Sequence, residues 1–118
     1  MNPEVKAKWV DALRSSKYKQ CCGRLKNGDR FCVIGVLTDL YIEEHDEKWS
    51  EYPEEDDWDN IPEFVEDMED APQYVYDWAG LNYYAELKLE DETIGLIRAN
   101  DETQLSFSEL ADLIEAQL

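Results

Sequence analysis

Histidine is almost missing from this sequence: His45 is the only one. The commonest general base and one of the two commonest zinc ligands are therefore nearly absent. Cysteine is scarce and odd in number, with Cys21, Cys22 and Cys32. That excludes a disulfide framework and fits thiols left free in a reducing compartment. Long apolar runs are lacking too, and the longest, itself interrupted, goes only from Phe31 to Leu37, far short of a membrane span. The first residues, Met1 to Lys6, show no apolar core of a secretory signal, so the cytoplasm is the expected location. There is no glycine-rich phosphate loop, no HExxH pair and no nucleophile elbow. Above all, positive charge is in short supply: 11 Lys and Arg face 29 Asp and Glu, for a formal net charge of -18.

What is present is packing material. Four Trp, seven Tyr and three Phe in 118 residues are more than a disordered acidic tail would carry. The length suits one domain over residues 1–118 with one modest core. Charge is unevenly spread. Residues 1–32 hold eight bases against three acids, whereas residues 43–70 hold fifteen acids against Lys48 alone. Such a field repels nucleic acid and anionic membrane and attracts basic protein surfaces.

The local signals predict an α+β fold, helix-rich, with a small antiparallel β element. Asn2 as N-cap, Pro3 at the first helical position and the stripe Val5, Trp9, Val10, Leu13 predict a helix that ends near Ser15 and Ser16. Gln20–Leu25 and Arg30–Cys32 around Asn27-Gly28 read as a hairpin. Val33, Val36, Leu37, Leu40 and Tyr41 have helical spacing, although Val33-Ile34 also fits an extension of the strand. Residues 45–61 read as an exposed loop, followed by a short helix from Pro62 with Phe64, Val65 and Met68 inward. Another helix from Pro72 through Trp78 should stop at Gly80. Tyr84–Leu89 alternates as a strand, Asp91-Glu92 suits a turn, and Thr93–Arg98 fits either a partner strand or a short helix. Ser106 to Glu109 forms a capping-box pattern ahead of Phe107, Leu110, Ala111, Leu113 and Ile114. Trp9, Leu13, Val36, Leu40, Trp78, Leu110 and Ile114 are the expected shared core.

Several of these residues form a longer pattern: Trp9-x-x-Ala12-Leu13-Arg14-Ser15, Tyr18-x-Gln20, Gly23-x-Leu25, Phe31-Cys32 and Gly35-Val36-Leu37-x-Asp39-Leu40-Tyr41. Val75-x-x-Trp78-Ala79-Gly80-Leu81, Asn100-Asp101, Ser106-Phe107 and Ala111 to Glu115 continue it. The pattern resembles a family of small uncharacterised proteins common in bacteriophage genomes and prophages. The resemblance covers both ends of the chain but not the acidic middle, residues 43–70. It implies action inside the bacterial host, where small phage proteins often bind and block host proteins, and it carries no catalytic residues.

The chemistry-bearing residues point the same way. Cys-Cys-x9-Cys is not a zinc spacing, and adjacent cysteines on a strand point to opposite faces, so at most one of Cys21 and Cys22 faces Cys32. A Cys–His pair would rest on His45, which sits among Glu43, Glu44, Asp46 and Glu47. The acids after Asp56 lack the alternating ligands and central glycine of a calcium loop. We therefore expect no catalytic residue, no metal and no cofactor. The candidate partner-binding residues are Glu54, Glu55, Asp56, Asp57, Trp58, Asp59, Glu63, Glu66, Asp67, Glu69 and Asp70. Carboxylates at this density imitate duplex DNA, which carries about one charge per 1.7 Å of axis. The basic first third is expected to pair with these acids within the chain. The function these observations predict is a phage-encoded acidic inhibitor that binds a host nucleic-acid-binding protein, of anti-restriction or anti-CRISPR type. The alternative is a non-mimic interaction or assembly module of phage origin.

The thiols give the first prediction. Intact mass under native, non-reducing conditions should show no intramolecular bridge, and metal analysis should find no stoichiometric zinc. A mass two hydrogen atoms low, or one zinc per chain, would overturn the reading of the cysteines as packed thiols.

Overall fold

A computed structural model describes residues 1–50 and 64–118 of the chain. Helix α1 spans Pro3–Arg14. The Asn2 Oδ1 atom accepts from the Glu4 and Val5 amides at 3.0 and 3.5 Å, which satisfies donors that the first helical turn leaves open. Ser15 closes the helix, as its sequence suggested, and Val5, Trp9, Val10 and Leu13 form the buried face. Trp9 is fully buried, and its indole Nε1 donates to the Val33 carbonyl at 3.0 Å, so this large ring also ties α1 to the next helix.

The expected hairpin is shorter and differently joined. Strands β1 (Lys19–Gln20), β2 (Lys26–Asn27) and β3 (Arg30–Phe31) form a three-stranded sheet with β3 in the centre. β2 pairs antiparallel with β3, but β1 pairs parallel with it, so residues 21–25 cross from one flank of β3 to the other. The turn lies one residue later than Asn27-Gly28. Asn27 is in register with Arg30, and Gly28, at φ 64°, begins the two-residue connection with Asp29. Leu25 explains the interruption of the first strand. Its side chain is fully buried, its carbonyl accepts from Cys32 N at 3.1 Å, and its amide donates to Met68 O at 2.8 Å.

Helix α2 (Val33–His45) follows at once, which resolves the Val33-Ile34 ambiguity in favour of helix. The Cys32 sulfur serves as its cap, accepting from Gly35 N at 3.3 Å, and Asp46 ends it in the left-handed region at φ 56°. The helix expected from Pro62 is corrected in part. Pro62 lies outside the described residues, and residues 64–70 are not helical. Val65 instead forms a parallel bridge with Ser50, and Glu66 and Met68 lend their carbonyls to Lys26 and Leu25. Backbone pairing to the sheet edge outweighs the weak local helical spacing there.

Helix α3 (Gln73–Ala79) ends at Gly80 in the left-handed conformation, at φ 64°. Strands β4 (Glu86–Lys88) and β5 (Thr93–Gly95) pair antiparallel. The ambiguous stretch from Thr93 is both strand and helix, because α4 (Leu96–Glu102) starts directly after β5. Helix α5 (Phe107–Gln117) carries the full capping box between Ser106 and Glu109 and packs along α1. Arg14 of α1 bonds to both Asp112 and Glu115 of α5, at 2.6 and 2.5 Å.

Trp9, Leu13, Val36, Leu110 and Ile114 share one buried cluster, whereas Leu40 and Trp78 are only partly buried against it. Trp78 lies at the rim, edge-on to Tyr41 with ring centroids 5.3 Å apart. The tightest point of the core is Gly35. A Cβ there would come within 1.9 Å of the Leu25 carbonyl oxygen, a backbone atom that cannot swing away. Gly35→Ala should therefore destabilise the protein by about 3 kcal/mol or more, at the upper end of overpacking. Leu110→Ala should cost about 2–5 kcal/mol through the cavity it leaves. Gly95→Ala is the control, since nothing lies within 4 Å of the added carbon. Denaturant melts of the three variants check the ordering, and an unaffected Gly35→Ala would refute the close approach.

Candidate functional site

The acidic middle is anchored at both flanks. Ser50 N donates to Phe64 O at 2.7 Å and Glu66 N returns a bond to Ser50 O at 3.0 Å, so the residues on either side of the 51–63 segment are clamped together. Phe64 is buried. On the other flank, Trp49 Nε1 donates to Asp39 Oδ1 at 3.0 Å, and Tyr18 OH donates to the other oxygen of Asp39 at 2.6 Å. Between the clamped ends the sequence places seven carboxylates and no base. Of the predicted binding residues, Glu54, Glu55, Asp56, Asp57, Trp58, Asp59 and Glu63 lie outside the described residues.

The other four separate into different roles. The Glu66 carboxylate, only 12% exposed, pairs with Lys26 at 3.1 Å, and Asp67, 47% exposed, pairs with Arg24 at 2.6 Å. Both face the β2 flank of the sheet. Glu69 is exposed. Asp70 is turned inward, accepting from its neighbour Ala71 N at 2.8 Å and from the Tyr76 hydroxyl. Together with Lys17–Glu43 at 3.7 Å, these ion pairs join the basic first third to the acidic middle. Among the described residues, six of the eleven basic side chains in the sequence hold a carboxylate within 4.0 Å.

Sequence reading overlooked one feature. A cleft of about 390 Å³ is lined by Asp70, Tyr76, Tyr83, Tyr84, Glu86 and Arg98, among others. Tyr76 and Tyr83 have ring centroids 4.9 Å apart, and Tyr83 and Tyr84 stand edge-to-face at 5.1 Å. Tyr84 is 80% exposed and Tyr83 38%. Asp70 beside Tyr83 holds its phenol above the ordinary range. Arg98 is engaged by Glu102 at 2.9 Å. The signal available in the sequence was the adjacent Tyr83-Tyr84 pair three residues beyond the Gly80 helix stop.

The Cys22 thiol donates to the Asn100 carbonyl at 3.6 Å, whereas the Cys21 thiol donates to Arg24 O and the Cys32 sulfur accepts from Gly35 N. Asn100 is 2% exposed. Its Oδ1 accepts from Val33 N at 3.1 Å and Gln20 Nε2 at 2.9 Å, and its Nδ2 donates to Cys21 O at 2.8 Å and Asp101 Oδ1 at 2.9 Å. Burial raises the pKa of all three thiols, Cys32 to about 12. That is opposite to the direction of an activated nucleophile. Among the described residues no group of three or more His, Cys, Asp or Glu is arranged to hold a metal ion, and no helix is long and apolar enough to cross a membrane.

Fold and site together define a small α+β domain with an anchored acidic segment and an open tyrosine cleft. The chain belongs to the family described as domain of unknown function DUF8296, whose model matches residues 1–118. No curated protein and no solved structure matches the chain.

The buried tyrosines generate a prediction in alkali. Burial first, and then the bond to Asp39, raises the Tyr18 pKa, and burial and then Asp70 do the same for Tyr76. A phenol with a folded pKa above its ordinary value near 10 contributes stability that is complete below pH 10. That contribution is lost as the pH rises towards the folded value. The melting temperature should therefore fall above pH 10, and phenolate absorbance at 295 nm should show two tyrosines ionising only with unfolding. In Tyr18→Phe and Tyr76→Phe the alkaline slope should flatten, and an unchanged slope in both would contradict this linkage.

Proposed function

We propose that this protein is an acidic binding protein that occupies a basic, nucleic-acid-binding surface of a host protein, inhibiting it in the manner of anti-restriction or anti-CRISPR proteins. The observation that carries the reading is the distribution of charge in the fold. The chain has a net charge of -18, and among the described residues five of the eight bases in its first third are paired with its own acids, three of them through Lys17–Glu43, Arg24–Asp67 and Lys26–Glu66. Little positive charge is therefore left to oppose an anionic exterior, and such a field attracts a basic partner and steers its approach. The clamp at Ser50 and Phe64 adds rigidity where a mimic needs it, holding the flanks of the most acid-dense stretch against the sheet. The phage and bacterial-host setting rests on the sequence resemblance alone.

In this reading the sum of the acids matters more than any one of them. A partner retained from bacterial lysate by the intact protein should bind with an affinity that falls steeply with salt, and it should release this protein when duplex DNA or RNA is added. Replacing Glu54, Glu55, Asp56, Asp57 and Asp59 together by Lys should abolish binding while leaving the melting temperature unchanged or higher, since like-charge repulsion is relieved. Single reversals should act mainly on the association rate. A partner that holds nucleic acid and this protein simultaneously without mutual loss of affinity would sink the proposal. So would full binding by the multiply reversed protein at low salt.

A further inference from the structure

The tyrosine cleft has a rigid wall and an unused aromatic surface. Tyr76 is fixed by its bond to Asp70, and the Tyr83-Tyr84 pair is held by a turn in which Asn82 accepts from Tyr84 N through its side chain and from Ala85 N through its backbone, both at 2.9 Å. Folding leaves Tyr84 80% exposed although neighbouring core aromatics are buried. Tyrosines standing clear of the core and held in place are the residue type enriched at the energetic centres of protein interfaces.

The electrostatics of the cleft select the occupant. Aromatic ring faces carry the negative lobe of a quadrupole and attract cations. The carboxylates on the cleft are Asp70, already taken by Tyr76 and Ala71, and the exposed Glu86. Among the described residues, the one cation on its wall, Arg98, is engaged by Glu102. Rings plus a carboxylate suit a planar guanidinium better than an ammonium, because only the former stacks on a ring and also meets a carboxylate with two parallel donors. A nucleobase also stacks on tyrosine, but its phosphates would have to approach a chain of net charge -18.

We infer that this cleft receives an arginine side chain of the protein partner, the guanidinium lying against Tyr84 and pairing with Glu86. This assignment deepens the proposed function and takes from it the sign of the partner. It supplies the short-range contact that a diffuse acidic field lacks.

The experiment uses the full chain and the pentapeptide Gly-Arg-Gly-Arg-Gly, with its lysine and citrulline counterparts, followed by amide NMR and calorimetry. The arginine peptide should move the resonances of Tyr83, Tyr84, Ala85 and Gly95 saturably. It should bind at least tenfold more tightly than the citrulline peptide and measurably more tightly than the lysine one. Tyr84→Ala and Glu86→Gln should each weaken it about tenfold, whereas Tyr84→Phe keeps the affinity. Tyr84 is exposed, so folding is not at stake. Shifts scattered over the acidic surface and absent from the cleft would overturn the assignment. Equal affinities for arginine and citrulline would do the same, as would cleft shifts produced by a short oligothymidylate and not by the peptide. The two readings fail separately. A partner complex lost on reversal of the acids but untouched by Tyr84→Ala rejects the cleft assignment and leaves the proposed function standing. An arginine peptide seated in the cleft, with a partner that binds DNA alongside this protein, keeps the cleft and rejects nucleic-acid competition.

Discussion

The side-chain amide of Asn100 holds together parts of the chain that are far apart in sequence. It has two acceptor positions and two donors, and all four are used: Val33 N and Gln20 Nε2 on the oxygen, Cys21 O and Asp101 Oδ1 on the nitrogen. Val33 is the first residue of α2, so its amide is one of those a helix start cannot satisfy internally. Cys21 is where the chain leaves β1 to cross the sheet. One buried group thus docks α4 on the start of α2 and on the crossing loop at once. Each buried partner left without its bond would cost about 1–3 kcal/mol, so the arrangement is all-or-none. Gly35 extends the same constraint two residues further, where the absence of a side chain lets the Leu25 carbonyl lie directly on α2.

That anchored centre is what allows the surface to be so acidic. Self-repulsion at a net charge of -18 works against compactness everywhere. Exposed ion pairs such as Arg14–Asp112 contribute little individually, because solvent screens them. Their effect lies in where they sit. Arg24 and Lys26 meet Asp67 and Glu66 beside the sheet edge, where the backbone of residues 66–68 is already bonded to Leu25 and Lys26. The basic first third then serves to hold the return of the acidic segment in place, with Glu69 exposed beside it.

Much of the fold was legible because local chemistry and tertiary structure agree. The Asn2 cap, the Ser106 capping box, the Gly80 stop and the apolar stripes of α1 and α5 appear where their spacing put them, whereas α2 is buried all round from Val33 to Thr38 and leaves the expected Leu40 and Tyr41 half-buried. The failures came where long-range backbone pairing decided the outcome. Phe64, Val65 and Met68 have helical spacing, yet the pairing partners on offer are Ser50 and the edge strand, invisible at that distance in sequence. The parallel pairing of Lys19-Gln20 with Arg30-Phe31 was missed for the same reason. Asp70 shows the limit of reading sites from composition. As one of fifteen acids in residues 43–70 it was grouped with the anionic surface, but the fold turns it inward to hold Tyr76. The tyrosine cleft was missed because its walls come from residues 70, 76, 83–86 and 93–98, which only the tertiary structure brings together.

In the proposed function, charge and shape would divide the work of recognition. A strong anionic field raises the encounter rate with any basic surface, and by itself it discriminates poorly, because many host proteins that handle nucleic acid are basic. Selectivity among them resides mainly in dissociation, and dissociation is governed by a few desolvated contacts in a defined geometry. The acidic segment supplies the first property through sheer density of carboxylates. The edge-to-face pair Tyr83 and Tyr84, open to solvent and fixed by the Asn82 turn, has the character required for the second. The field alone would leave a salt-sensitive complex with little preference between partners, and the cleft alone would find its partner slowly. Joined on one small domain, as the proposal has it, they would give a basic partner both a reason to approach and a place to stop.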